Sequence, residues 1–531
     1  MDVLNGFSQK DMIEQISILD EIKEKSQVEA VPQLFELYAT PVGDQAVDEM
    51  VYHTLFELLV GREADILAGL QHASPRVRLL CIRQAGATAL AAARSALEER
   101  LQAGESAEII GEVVRALGNF KDPSLLEVLV PYLRHDDSSV AAWTMQALVA
   151  IGGPASRDAL RQMVETDDAQ LGATDICDLA TAMAIENLSR FVDEETIVFF
   201  VSRIHHPNPS FRRVVICALA SMGPGALPAL EECLEKGDKD EKIMAANIIG
   251  MMGHKQGADV LIDQLDDAEA MDPNLKFAIY EALGRVSSLK SVIGLSDGLA
   301  ETDAMVLMAV VISMDHLCNP GIVKVLNEAL DRQDDQSRQI VKTIVTGHAA
   351  TLFAALYEGG PHGETLIKAI LECGDQDAVA LFRAKLENMG GKAEADSKRL
   401  AGGEAAPAAG ARKILAADDS KAILFFYKGV ANELGVEMVT VPDGKDALEY
   451  LKANSDIDLL ITDMNMPNMD GVELTKEVRK LDQWATLPIV MATTESEKSQ
   501  VDLARAAGVN DFISKPFTGE QLKEKVQQIL S

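Results

Sequence analysis

Six glycines, Gly86, Gly118, Gly152, Gly223, Gly253 and Gly284, stand 32, 34, 71, 30 and 31 residues apart. Each lies near the end of an apolar run with helical periodicity. The runs read alike: Q-A-G-A, A-L-G-N, A-I-G-G, S-M-G-P, M-M-G-H and A-L-G-R. A fixed period of this length marks a repeat architecture, and the longest interval spans two units with one degenerate member. Glycine just past a helix end takes the left-handed conformation without a Cβ penalty, so each of the six is expected at such a position. A second apolar helix follows, as at residues 123–133, 156–164, 226–234 and 256–265. Polar turns then open the next unit (S-P-R at Ser74, H-D-D-S-S at His135, H-P-N-P-S at His206). Two short amphipathic helices cannot bury an apolar face alone, so the units must stack on one another. The pattern holds from about residue 10 to 388.

These units resemble HEAT-like repeats, and their short period is similar to that of the phycobilisome-lyase subtype. The resemblance implies an all-α helical solenoid over residues 1–389. The nine histidines are scattered, and no H-E-x-x-H, nucleotide-binding glycine loop or G-x-S-x-G motif occurs. The solenoid is therefore expected to bind protein, not to catalyse; a bilin-lyase-like enzyme is the alternative that its repeat subtype raises. A net charge of −34 over 531 residues argues against DNA or anionic lipid as a partner. No apolar run reaches the roughly 18 residues of a membrane span. The first residues lack the pattern of a signal peptide. Cys81, Cys177, Cys217, Cys233, Cys318 and Cys373 lie far apart without a C-x-x-C, as buried free thiols in a reducing cytoplasm would. A cytoplasmic location is expected.

Residues 390–411 change to Ala, Gly and charged residues, the composition of a flexible tether. From Arg412 to Ser531 strands and helices alternate. Strands are predicted at 413–417, 437–441, 457–462, 487–492 and 510–514. Helices are predicted at 420–434, 444–454, 472–481, 496–507 and 520–530. Five such pairs make a small α/β domain with a parallel sheet covered on both faces. The strands end in Asp418-Asp419, Asp463, Thr493-Thr494 and Lys515-Pro516, all of which meet on one sheet edge. Clustered carboxylates repel one another unless a cation binds, and a hard oxygen site with room for water suits Mg2+. Lys515 then offsets charge that builds when Asp463 attacks a phosphoryl group, and the Thr493 hydroxyl can donate to a phosphate oxygen.

The motifs A-A-D-D-S at Ala416, T-D-M-N-M-P-N-M-D-G at Thr462, M-A-T-T at Met491 and S-K-P-F at Ser514 resemble the response-regulator receiver domain, especially the single-domain chemotaxis regulator. The resemblance covers the whole C-terminal segment. It implies a flavodoxin-like, doubly wound sheet in the order 2-1-3-4-5, with Asp463 as phospho-acceptor. It also implies Asp418 and Asp419 positioning Mg2+, and Asn465 ligating it through the backbone carbonyl. Thr493 becomes the switch hydroxyl, Lys515 the phosphate-contacting base, and Lys515–Pro516 a cis bond. Phe512 stands where the family usually has a tyrosine, so that ring can turn inward without offering a hydroxyl.

The reading that results is a two-component response regulator. A histidine kinase phosphorylates Asp463, and the receiver alters what the solenoid, or its own switch surface, binds. Such a chain acts on no substrate beyond its own phosphate, and with no output domain after the receiver its output is protein–protein. A phosphate sink without phosphorylation-dependent output is the rival. The tether also allows the receiver to rest on the solenoid, and the face of the fourth and fifth helices (496–507 and 520–530) is expected to make that contact.

Overall fold

The computed structural model describes residues 4, 6–40, 44–172, 175–265, 271–390, 393–401, 412–493 and 498–530. Among these residues every regular element before Lys413 is a helix. The chain forms two compact units, one of residues 1–170 with 178–191, the other of 171–177 with 192–531. In the first, helices Pro75–Ala87, Ala107–Gly118 and Ser138–Ile151 pack in succession. In the second, Pro209–Ser221, Lys239–Met252, Pro273–Arg285, Ala304–His316 and Asp335–Thr346 make one layer. Leu227–Lys236, Lys255–Gln264, Leu289–Asp297 and Pro320–Asp331 make the other. No single described helix is long and apolar enough to cross a membrane.

Part of the acidic excess serves the helix starts. Asp137, Asp178, Asp193, Asp238, Asp272 and Asp303 each accept a backbone N–H from the first turn of the helix that follows. That satisfies a donor the helix cannot pair itself and places negative charge at the positive end of its dipole.

The glycines divide into two kinds. Gly152, Gly223 and Gly253 do have positive φ. Gly86, Gly118 and Gly284 instead lie inside their helices, where the next repeat crosses. A Cβ on Gly86 would sit 2.7 Å from the Ala116 Cα, and one on Gly118 the same distance from the Ala147 Cα. Gly284 meets Ser313 in the same way, and so does Gly250, outside the six, with the Ala282 Cα at 2.7 Å. The small-residue period thus records close helix crossings as well as helix ends. The six thiols are free, but only Cys81 and Cys177 are buried, and Cys217 is exposed.

The expected tether is partly ordered. Ala393–Ala401 is a helix with Ala393, Ser397 and Leu400 buried. Tyr357 Oη donates to Asp396 at 2.7 Å, and the Arg399 guanidinium pairs with Glu364 at 2.8 Å. A-E-A-D-S-K-R-L-A contains good helix formers, and Leu400 gives the helix an anchor. Residues 391–392 and 402–411 of the predicted tether lie outside the described residues.

From Lys413 the chain builds a parallel sheet of β1 (Lys413–Ala417), β2 (Glu437–Val441), β3 (Leu459–Asp463), β4 (Ile489–Thr493) and β5 (Asp511–Ser514), in the order β2-β1-β3-β4-β5. One face packs on helices Gly444–Ala453, Gly471–Arg479 and Lys498–Ala507 through Leu448, Leu451, Val472, Leu474, Val478 and Leu503. The other packs on Lys421–Leu434 and Gly519–Leu530 through Ile423, Tyr427, Leu522 and Val526. That second cluster also takes in Met305 and Phe277 from the repeats.

The receiver therefore shares a core with the repeats of its own unit. The contact is made by Lys421–Leu434, packed on Ala304–His316 and Asp335–Thr346, and by the loops at the carboxyl ends of β1, β3 and β5. This corrects the expectation that the fourth and fifth helices would dock. The physical reason lies in the K-A-I-L-F-F-Y-K start of Lys421–Leu434. It carries apolar side chains around more of its circumference than one sheet can cover, and the repeats cover the remainder. The Phe425 ring lies 4.8 Å from that of His348, and Lys428 pairs with Asp377 at 2.9 Å.

Candidate functional site

Register brings the site together. Ala417 pairs with Thr462, Asp463 with Ala492, and Thr493 with Ser514, so the residues at these strand ends share one edge. Asp418 follows β1, Asp463 ends β3, Thr493 ends β4, and Lys515 follows β5. The Lys515 N–H donates to the Thr493 carbonyl at 2.8 Å, and the Lys515–Pro516 bond is cis. Gly471 is demanded by close approach, because a Cβ there would lie 2.2 Å from the Asp463 carbonyl oxygen.

Lys515 Nζ bridges Asp418 Oδ2 at 2.8 Å and Asp463 Oδ1 at 2.6 Å. The second Asp463 oxygen accepts the Asn465 N–H at 2.9 Å. Burial works against the Lys515 charge, but Asp418 and Asp463 outweigh it and hold the ammonium well above the ordinary lysine range. Asp418 is completely buried, and burial, then Asp463 and Asp419, push it well above the usual carboxylate range despite Lys515. Asp419 faces a cavity, so it keeps accessible surface while protein surrounds it. That crowding, with Asp463 and Glu281, pushes it up to about 7.

Three acids thus share one ammonium. Among the described residues no three acidic, imidazole or thiol groups converge into a ready-made metal cage. Mg2+ needs none, since it binds through one or two carboxylates and keeps several waters. The donor set of hard carboxylate oxygens, short of positive charge, fits such an ion.

Thr493 lies at the same edge with 2% of its surface exposed, its hydroxyl 3.9 Å from Met464 Sδ. Phe512 is half-buried against the cluster containing Met464 and Met491, and the Arg505 guanidinium stands 5.6 Å from its ring centre.

Sequence reasoning missed the repeat residues that reach this edge. Arg212, 1% exposed, donates to Asn465 Oδ1 at 2.6 Å and to the His206 carbonyl at 3.1 Å. Arg213 pairs with Glu473 at 2.9 Å. Asn274 Nδ2 donates to the Lys515 carbonyl at 2.6 Å, and Ser420 Oγ donates to Glu281 at 2.6 Å. A cavity of about 410 Å3 remains, lined from the receiver by Asp418, Asp419, Asp463 and Lys515 and from the repeats by Arg212 and Arg285 among others. Nothing local in the sequence marks Arg212 or Asn274, which lie more than 200 positions from their partners. The over-apolar helix Lys421–Leu434 is the one readable sign that something covers this side.

A doubly wound parallel sheet gathering acids and a lysine at its carboxyl edge defines an α/β domain of the receiver class. The chain belongs to the response-regulator family through this domain. The family profile for the response regulator receiver domain matches residues 414–527, and that for HEAT repeats matches 95–177 and 227–315. Over 119 residues the chain is 44% identical to chemotaxis protein CheY1 of Helicobacter pylori, covering 22% of this chain and 96% of that one. It is 40% identical over 118 residues to chemotaxis protein CheY-3 of Vibrio cholerae, with 22% and 90% covered. Among solved structures, the CheY4 chemotaxis regulator of Vibrio cholerae is 35% identical, with 23% of this chain and 99% of that one covered and a TM-score of 0.22. The receiver domain of a sensor histidine kinase from Pseudomonas aeruginosa PAO1, solved with magnesium in its active site cleft, is 24% identical over 23% of this chain and 98% of that one, with a TM-score of 0.22.

Proposed function

We propose that Asp463 accepts a phosphoryl group from a histidine kinase and that the chain is a two-component response regulator whose output is protein–protein. The observation that carries this reading is the Lys515 ammonium bridging Asp418 and Asp463 at 2.8 and 2.6 Å. Lys515 holds the Asp463 carboxylate in place and stands ready to offset charge on the transferred phosphoryl oxygens. The Asn465 N–H fixes the second carboxylate oxygen. Thr493, turned away from Met464, donates to a phosphoryl oxygen, and the half-buried Phe512 ring follows it inward. Asp418, Asp419, Asp463 and the Asn465 carbonyl would hold Mg2+, which when bound supplies the positive charge this acidic cluster lacks. On this reading the chain acts on no substrate beyond its own phosphate, works in the cytoplasm, and binds neither nucleic acid nor membrane. The HEAT repeats serve as its protein-binding scaffold.

Incubation with acetyl phosphate and Mg2+ should add a single acid-stable, base-labile phosphate, read by intact mass, and Asp463→Asn should abolish it. Labelling that survives this substitution, or that ignores chelation of Mg2+, contradicts the assignment.

A further inference from the structure

The phosphoacceptor carboxylate itself has little access to solvent. Asp463 is 8% exposed, and the space before it is the cavity of about 410 Å3, which the repeat helices Pro209–Ser221, Lys239–Met252 and Pro273–Arg285 help to wall. These walls are tied to the residues that flank Asp463. Arg212 bonds the Asn465 side chain, Asn274 the Lys515 carbonyl, and Glu281 the Ser420 hydroxyl. Met305 and Phe277 seal the neighbouring side by joining the receiver's own core. The cavity reaches the surface past Cys217 and Met251, both of which line it and are exposed.

Phosphoryl transfer requires the reacting atoms to approach within roughly 3–3.5 Å in line. A folded donor protein cannot bring a phosphohistidine that close without displacing the repeat helices. A cavity of this volume, by contrast, lies on the scale of small-molecule sites. Arg212, Arg213, Arg285 and Lys515 line the same cavity as the acids, so a small phosphoryl donor entering it would meet these cations together with the Mg2+ that the acids would hold.

We propose that the repeats turn the phosphoacceptor site into a chamber that admits small acyl phosphates and shuts out donor proteins until the receiver leaves the repeats. The proposal rests on the reading of Asp463 given above. In the chamber an Asp463 carboxylate oxygen forms the new P–O bond, and the bridging P–O bond to the acyl group breaks. The acyl carboxylate leaves with the electron pair, so one acyl phosphate replaces another and neither proton nor redox partner is needed. The docked chain then answers a metabolic phosphoryl donor, and the undocked chain answers a kinase.

The test uses the full chain and two donors, acetyl phosphate and an acyl phosphate attached by a short linker to the surface of a folded carrier protein. Labelling rates at Asp463 are read by intact mass, in the parent chain and in Phe277→Asp and Arg212→Ala. Circular dichroism confirms that helix content is kept, and hydrogen exchange across Lys421–Leu434 reports undocking independently of labelling. The small-to-large rate ratio should fall at least about tenfold in a variant whose exchange has risen. A ratio unchanged in such a variant, or near one already in the parent chain, overturns the chamber while leaving Asp463 as phospho-acceptor. Failure of acetyl phosphate to label Asp463 in any of the chains strikes the phosphoacceptor reading itself, and the chamber with it.

Discussion

Lys515 answers to two carboxylates and Arg212 to a side-chain amide and a carbonyl; Arg212 is buried, and Lys515 keeps only 11% of its side chain exposed. Such groups persist only when their hydrogen bonds are made, since an unpaired buried donor costs about 1–3 kcal/mol, and more if charged. Gly471 is as tightly constrained, by shape instead of charge. Gly471→Ala should push the Asp463 carbonyl out of place, lower receiver stability by about 1–3 kcal/mol, and slow labelling at Asp463. Chemical denaturation and the acetyl phosphate assay check it; unchanged stability together with unchanged labelling would contradict the close approach. At this scale the site was legible where a polar residue breaks an apolar strand, as Asp463 does after Ile461 and Thr462. It was not legible for Arg212, because an arginine in P-S-F-R-R reads as a surface residue until its distant partner is known.

Among the elements, the repeat helices show how one sequence signal can carry two meanings. A glycine near a helix end either turns the chain or lets another helix approach, and composition alone does not separate the two. Gly250→Val should therefore separate neighbouring repeats and cost about 1–3 kcal/mol, measured by thermal or denaturant unfolding. Gly429, inside Lys421–Leu434, has nothing within 4 Å of an added Cβ and an ordinary backbone. There Gly429→Ala should stabilise by about 0.5–1 kcal/mol. Equal effects of the two substitutions would contradict the distinction drawn between the two glycines. Strands were read to within two residues because each apolar stretch stops at a polar residue or a proline. The helix Ala393–Ala401 was lost among small and charged residues, which suit a helix as well as a tether once Leu400 finds a hydrophobic seat.

At the level of the second compact unit, receiver and repeats share one hydrophobic cluster and a set of polar ties around Asp463. Sequence patterns report local periodicity, so they revealed both folds and left the contact between them open. The apolar circumference of Lys421–Leu434 is the local sign of that contact. The contact can be tested directly through Lys428 and Asp377, an ion pair at 2.9 Å that joins the receiver to the repeats. A carbodiimide forms an amide only between an amine and a carboxylate already in contact. Treatment of the full chain, followed by peptide mass spectrometry, should yield a Lys428–Asp377 cross-link that Phe277→Asp removes. Absence of that link in a sample where the Lys23–Glu57 pair, at 2.7 Å, is cross-linked would contradict the docked arrangement.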